Sequence, residues 1–257
     1  MARYPRQDDP GGKNVIPSVT EIISDCTDKS GALTQWAANM CKLWIQENCD
    51  ALSDWDENNE ERLYYEVFDS DLEKARFNFK TVSQKALDIG SEVHAKIELY
   101  LKEQLKGNHP SGYNMATTIE DEQAQNSFIA FLKWAEEHNV KPIRLEQTVY
   151  SHDGLWAGTL DLNCWLNGKR YIIDFKTSKA FYPEHRYQVA AYRLAIEDET
   201  LHEEDFPEGC GILRLDKESG KPSWHDTSKT FEKDLRVFQA MFELYKLRHP
   251  IIIKRAT

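Results

Sequence analysis

The chain has 257 residues, enough for one large domain or two small ones, and 40% hydrophobic residues with seven Trp suffice for a real core. No stretch approaches the roughly 20 apolar residues of a membrane span, and five Cys, odd in number and without a CxxC pair, suggest neither a disulfide framework nor a zinc site. A net charge of -11 argues against a protein that coats nucleic acid through a basic surface, but not against one that cuts it, because bound divalent cations supply positive charge at an acidic site.

The opening "MARYPRQDDPGG" has no apolar segment of a secretory signal, so the expected location is intracellular, with reduced thiols and no membrane partner. "PSVTEIIS" reads as a helix start, with Ser18 as N-cap and Glu21 three residues on. A second helix is expected over Leu33 to Gln46, and the acidic "DWDENNEERLYYEVF" reads as a solvated helix or loop. From Val82 onward Ile89, Val93, Ile97 and Leu101 recur every four positions, marking a long amphipathic helix that "GNHPSGYN" ends. A further helix covers about Ile119 to His138.

The period then changes to two. "KPIRLEQTVYS" and "LWAGTLDLNCWL" read as strands, Asn167-Gly168 closes a hairpin, and "RYIIDFKT" is the third strand. A helix over about Pro183 to Asp198, a strand "GCGILRLD" and a final helix over about Lys229 to Arg248, burying Phe231, Leu235, Phe238, Phe242 and Tyr245, complete the chain. The expected architecture is one α/β domain over 1–257, mainly helical over 17–138, with sheet and flanking helices over 140–250.

The run "YIIDFKT" raises a chemical question, because Asp174 and Lys176 end an apolar strand on one face. In the middle strand Trp156, Leu160, Leu162, Cys164 and Leu166 are expected on one face and Asp161 on the other. Folding about Asn167-Gly168 sets Asp161 opposite Asp174, and opposed carboxylates repel unless a cation lies between them, for which a hard divalent ion is the simplest candidate. Glu146 in the preceding strand and His94 beside the helical stripe are within plausible reach, and Gln188 and Tyr192 share a helix face one turn apart. Taken singly, each of these residues reads as ordinary surface or packing; their conjunction carries the signal.

The order His94, Glu146, "GTLD" (Gly158 to Asp161), "DFK" (Asp174 to Lys176) and "QVAAY" (Gln188 to Tyr192) resembles the PD-(D/E)XK nuclease superfamily, in its RecB-like exonuclease branch. "PSVTEIIS" followed by "LTQWAANM", and "GSEVHAKIELYL", are similar to the subset that includes the mitochondrial genome maintenance exonuclease and phage or bacterial relatives. The likeness runs from about Pro17 to Leu194. It implies a restriction-endonuclease-like mixed central sheet flanked by helices, and a metal-dependent exonuclease acting on DNA ends, favouring single-stranded ones, in repair, recombination or replication. A structure-specific endonuclease and a catalytically silent module that grips DNA or protein are the alternatives.

Carried over by residue, the resemblance implies that Asp161, Asp174, the backbone carbonyl of Phe175 and His94 hold Mg²⁺ or Mn²⁺. Glu146 would bind metal or orient water, and Lys176 would position and activate the attacking water. Gln188 and Tyr192 would brace the site and contact the DNA strand; separately, the acidic total favours threading a single strand past local cations such as Lys179, Arg186 and Arg193 over coating a duplex. Some relatives hold an iron-sulfur cluster with one early and three late Cys; here only Cys210 follows the "DFK" strand, so no cluster is expected. DNA is the expected partner, with proteins of a recombination or replication system beside it, in a phage or bacterial cytoplasm.

Overall fold

A computed structural model describes residues 3–5, 15–55, 61–200, 202 and 205–249. The chain forms two compact units, Met1–Thr27 with Ile89–Thr257, and Asp28–Asp88. In chain order the elements are β1 (Arg3–Pro5), β2 (Val15–Pro17), α1 (Val19–Cys26), α2 (Ser30–Asn48), β3 (Ala51–Trp55), β4 (Glu61–Tyr65), α3 (Asp69–Leu105), α4 (Gly112–Ala116), α5 (Glu122–Glu137), β5 (Lys141–Tyr150), β6 (Ala157–Leu166), β7 (Lys169–Lys176), α6 (Pro183–Glu199), β8 (Gly209–Leu215), β9 (Pro222–Asp226) and α7 (Phe231–Arg248).

The larger unit is built on a five-stranded sheet of order β5-β6-β7-β8-β9. The class is therefore α/β with a mixed central sheet. All neighbours pair antiparallel except β7 and β8, which run parallel. A parallel pair needs a crossover, which α6 supplies. The β6–β7 hairpin closes on Asn167 (φ 51°) and Gly168 (φ 84°), the two positive-φ positions that a two-residue turn of this hand requires.

Two buried clusters flank the sheet. One joins α1, α6 and α7 to Leu160, Ile172 and Ile212; the other joins α3, α4 and α5 to Leu162, Ile173 and Leu213. Ile89, Val93, Ile97 and Leu101 are all buried, as their spacing predicts, and so are the five expected apolar residues of α7. Ser18 Oγ accepts the Glu21 N–H at 3.0 Å, capping α1, while Glu21 Oε1 accepts from the Tyr245 hydroxyl at 2.8 Å and ties α1 to α7.

In the smaller unit α2 buries no residue, and Asn78 Nδ2 donates to the Met40 carbonyl at 2.9 Å. The segment expected as a solvated helix or loop is instead the β3–β4 hairpin, with Leu52 paired to Tyr64 and Ala51 to Tyr65. Its acidic residues masked the strand preference of its apolar and aromatic ones, and residues 56–60 lie outside the described part. Helix α3 starts at Asp69, well before the expected Val82. Only its later part carries a buried stripe; its start shows i,i+3 ion pairs, Lys74 with Asp71 and Arg76 with Glu73, which leave no clear apolar period to read.

Candidate metal centre

The hairpin register follows the Asn-Gly turn from Leu166–Lys169 to Leu162–Ile173. Asp161 and Asp174 come next, one step beyond the last paired residues, and there the ladder gives way to a side chain. Asp161 Oδ2 accepts the Phe175 N–H at 2.6 Å, a charge-assisted bond to a backbone donor.

A second carboxylate stands across from Asp161 on the other neighbouring strand. Leu145 pairs with Leu162 and Gln147 with Leu160, so Glu146 and Asp161 are the residues between. Glu146 has φ 45°, a left-handed conformation that costs a non-glycine residue about 1–2 kcal/mol. Around this point both strands exchange faces. Leu145 and Leu162 pack in the α3 cluster, whereas Val149 and Leu160 pack in the α6–α7 cluster. The expectation that Trp156, Leu160, Leu162, Cys164 and Leu166 share one face is thereby corrected, since a left-handed residue breaks the pleat on which the alternation depends.

His94 reaches the same point from α3. One ligand atom each from His94, Glu146 and Asp161 lies within 4.8 Å of the others. His94 Nδ1 is 3.4 Å from Asp161 Oδ1, and its ring lies edge-on to Phe175 at 5.9 Å. An imidazole with two carboxylates is a donor set suited to a divalent cation. Asp174, only 2% exposed, carries the Lys176 ammonium 2.6 Å from its Oδ2, beside that set.

Charge and burial act against each other throughout. Burial pushes the Asp174 carboxyl up to about 6; Lys176 opposes this and Asp161 adds to it. Glu146 is exposed as a residue, yet partial burial of its carboxyl, followed by the charge of Asp161, raises it to about 7. Burial alone would raise Asp161 as well, but the His94 charge and hydrogen bond, Lys176 and the Phe175 N–H outweigh it and hold it below its ordinary value. The reverse holds for the bases. Burial would lower His94 and Lys176, yet Asp161 and Asp174 keep both raised.

Tyr192 and Gln188 meet as the helix spacing predicts, with Gln188 Nε2 donating to the Tyr192 hydroxyl at 3.0 Å. The Tyr192 ring is buried against Gly158, where a Cβ would stand 2.4 Å from ring Cε1. Gly158→Ala is therefore expected to cost about 1–3 kcal/mol, and Tyr192→Leu to recover most of it. Urea unfolding of both single variants and the double variant measures that coupling; independent, additive costs would refute the contact.

The other cations expected near DNA divide. Lys179 is exposed, but Arg186 Nε lies 3.6 Å from buried Asp234 on α7, and Arg193 pairs with Glu197 at 2.7 Å while its guanidinium covers Phe231. Two residues near the site had no sequence signal. The Tyr4 hydroxyl is 2.9 Å from Thr159 Oγ1, and Glu98, one turn after His94, adds negative charge that raises Glu146.

No protein-family model matches the chain, and no curated protein matches it. Among solved structures it is similar to one titled "Crystal structure of SSO0001", with TM-score 0.28 and 10% identity over 63% of this chain and 81% of that one. A likeness at that level carries no functional argument. Among the described residues no helix is long and apolar enough to cross a membrane.

Proposed function

We propose that this chain is a divalent-cation-dependent deoxyribonuclease that hydrolyses phosphodiesters from a DNA end, favouring single-stranded ends. The observation that carries the reading is the convergence of His94, Glu146 and Asp161 beside the Asp174–Lys176 pair, on rigid strands and one helix. The donor chemistry fits Mg²⁺ or Mn²⁺, with His94, Glu146 and Asp161 as holders and Asp174 and the Phe175 backbone extending the set. Such an ion, when bound, neutralises phosphate charge and makes bound water more acidic.

The chain's own groups then divide the work. Lys176, kept protonated by Asp174 and Asp161, holds its charge against the phosphoryl oxygen as negative charge develops and does not itself take a proton. Glu146, set across from Asp161 in the sheet, would hold the ion or orient the attacking water, whose proton passes to solvent. The water oxygen bonds to phosphorus, the ester P–O bond breaks, and the leaving oxygen takes a proton from solvent. Gln188 and Tyr192 hold the wall beside Gly158. With a net charge of -11, a single strand threaded past local cations such as Lys179 suits the molecule better than a coated duplex. Action in a phage or bacterial cytoplasm, beside recombination or replication proteins, belongs to the same proposal.

The test is cleavage of end-labelled single-stranded and duplex DNA, with a circular control, in Mg²⁺, Mn²⁺ or EDTA, with Lys176→Ala as comparison. Linear single strands should be digested only with metal, circles spared, and Lys176→Ala slowed at least about a hundredfold. Binding without cleavage in either metal would identify a DNA-gripping module instead, and cutting of circles an endonuclease.

A further inference from the structure

Beside the metal centre the sheet is open. Strand β7 pairs with β6 only from Leu162 to Leu166, so the start of β6 is left without it. The N-terminal hairpin takes its place at the far end. Ser18, which follows β2 directly and caps α1, bridges in parallel to Ala157, and β1 pairs with β2, with Tyr4 opposite Ile16. Between these two supports, among the described residues, no strand pairs with Gly158 to Asp161 on the β7 side. The open stretch ends at Asp161, a member of the three-donor cluster.

The side chains along this stretch alternate. Gly158 meets the Tyr192 ring and Leu160 packs in the α6–α7 cluster, so Thr159 between them projects to the other face, where α3 brings His94 up to Asp161. Thr159 lies two residues from Asp161, about 6.5–7 Å along the strand. There the Tyr4 hydroxyl meets Thr159 Oγ1 at 2.9 Å. Both residues are half-buried, so the pair is open to a ligand. Their mutual bond uses one hydroxyl hydrogen of two, and the second has no acceptor among the described residues. Burial raises Tyr192 first, and the charges of Asp174, Asp161 and Tyr4 add to it, so all three lie near one hydroxyl.

An unmet O–H hydrogen calls for an acceptor, and the carboxylates beside it repel an anion that arrives without a cation. An anionic oxygen that comes with the metal ion meets both conditions. One strand step from Asp161 is also comparable to the step between successive phosphates of an extended single strand. We propose that Tyr4 is a substrate-binding residue, its hydroxyl donating to an oxygen of the phosphate next to the one at the metal centre. Thr159 then donates to the Tyr4 oxygen, and both hydrogens are used. This inference rests on the nuclease reading and adds to it a contact that the N-terminal hairpin supplies.

The experiment compares the full chain with Tyr4→Phe and Thr159→Val in Mn²⁺, on a fluorescein-labelled single strand. Tyr4→Phe should raise KM at least about tenfold, as loss of a hydrogen bond to a charged group does, with a smaller change in kcat and none in Mn²⁺ affinity. Thr159→Val, which keeps the donor, should raise KM less than about threefold. A pair that served only to fasten the hairpin would lose the same bond in both variants, and equal effects would overturn the inference. A single methylphosphonate beside the scissile linkage removes an anionic oxygen, and should cost wild type about tenfold and Tyr4→Phe less than about threefold; an equal cost in both would remove the phosphate contact. Cleavage by wild type with KM unchanged in Tyr4→Phe sinks the inference and leaves the nuclease reading standing. If wild type binds the strand without cutting it, the nuclease reading ends and Kd, by anisotropy, decides on Tyr4 in place of KM. No binding of single strands at all would overturn both.

Discussion

Asp161→Asn is expected to abolish metal-dependent cleavage while leaving the fold in place. The reason lies in how the carboxylate's two oxygens are used. Oδ2 holds the Phe175 N–H at 2.6 Å and Oδ1 faces His94 Nδ1 at 3.4 Å. An asparagine keeps the first contact by turning its carbonyl to Phe175, and its NH₂ then points at the cluster where a lone pair is needed. The set of three donors within 4.8 Å falls to two, with one negative charge fewer. Partners outside a coordination sphere already cost about 10- to 100-fold in affinity or activity when removed, so losing a donor within it should weaken Mn²⁺ binding and slow cleavage at least about a hundredfold. His94 also loses the charge that raises it. Titration calorimetry with Mn²⁺ and the end-labelled DNA assay check the two effects together. Wild-type metal affinity in Asp161→Asn would remove this carboxylate from the site.

The hairpin and the two best helices were legible because each obeys one dominant local rule. Asn167-Gly168 demands positive φ at both positions and thereby fixes every pair from Lys169 to Ile173. The α3 stripe and the apolar residues of α7 were readable because one face of each is buried. The opposition of carboxylates at Asp161 was half legible. Counting through the turn points to Asp174, one step beyond the paired Leu162 and Ile173, and the sheet also sets Glu146 across from Asp161 on its other side. That pairing depends on a left-handed residue with no glycine to announce it.

Partnerships distant in sequence left no trace at all. Arg186 looks in the chain like a free cation two residues from Gln188, and its tie to Asp234 depends on how α6 and α7 pack. Strand β9 escaped notice for a related reason: "PSWHD" has little periodicity, and its hydrogen bonds are set by β8 beside it. Composition warned against nucleic acid through its net charge, yet the same acidic residues, concentrated at Glu146, Asp161 and Asp174, are what a cation site requires. The sign of the whole chain and the chemistry of one corner of it are separate questions.

Concentrated acidity sets the second large expectation, which concerns stability against pH. In EDTA the unit that carries the site should lose stability as pH rises from about 4.5 to 7.5. Asp174 titrates at about 6 against an ordinary 3.8, so between those values the folded chain holds a proton that the unfolded chain has released. Stability must then fall as pH rises, by about 3 kcal/mol for two pK units. Glu146, at about 7, extends the fall in the same direction. His94, raised by Asp161, gives stability that is complete below its ordinary 6.5 and disappears above its folded value. Asp161 works the other way, because its lowered value costs stability only as pH drops below about 4. Protons thus do in the empty cluster what a metal ion would do. Mn²⁺ at a hundred times its dissociation constant at pH 7.5 should restore about 2.7 kcal/mol there, and the same concentration should restore less at lower pH, where more protons have to leave. Since the chain has two compact units, one melting midpoint would blend them. Amide exchange at Ile172, Ile173 and Phe175, corrected for its intrinsic pH dependence, isolates the strand beside the site. Protection that stays level or rises through the window in EDTA, or that Mn²⁺ leaves unchanged at pH 7.5, would show that these carboxylates are not crowded around a shared cation position.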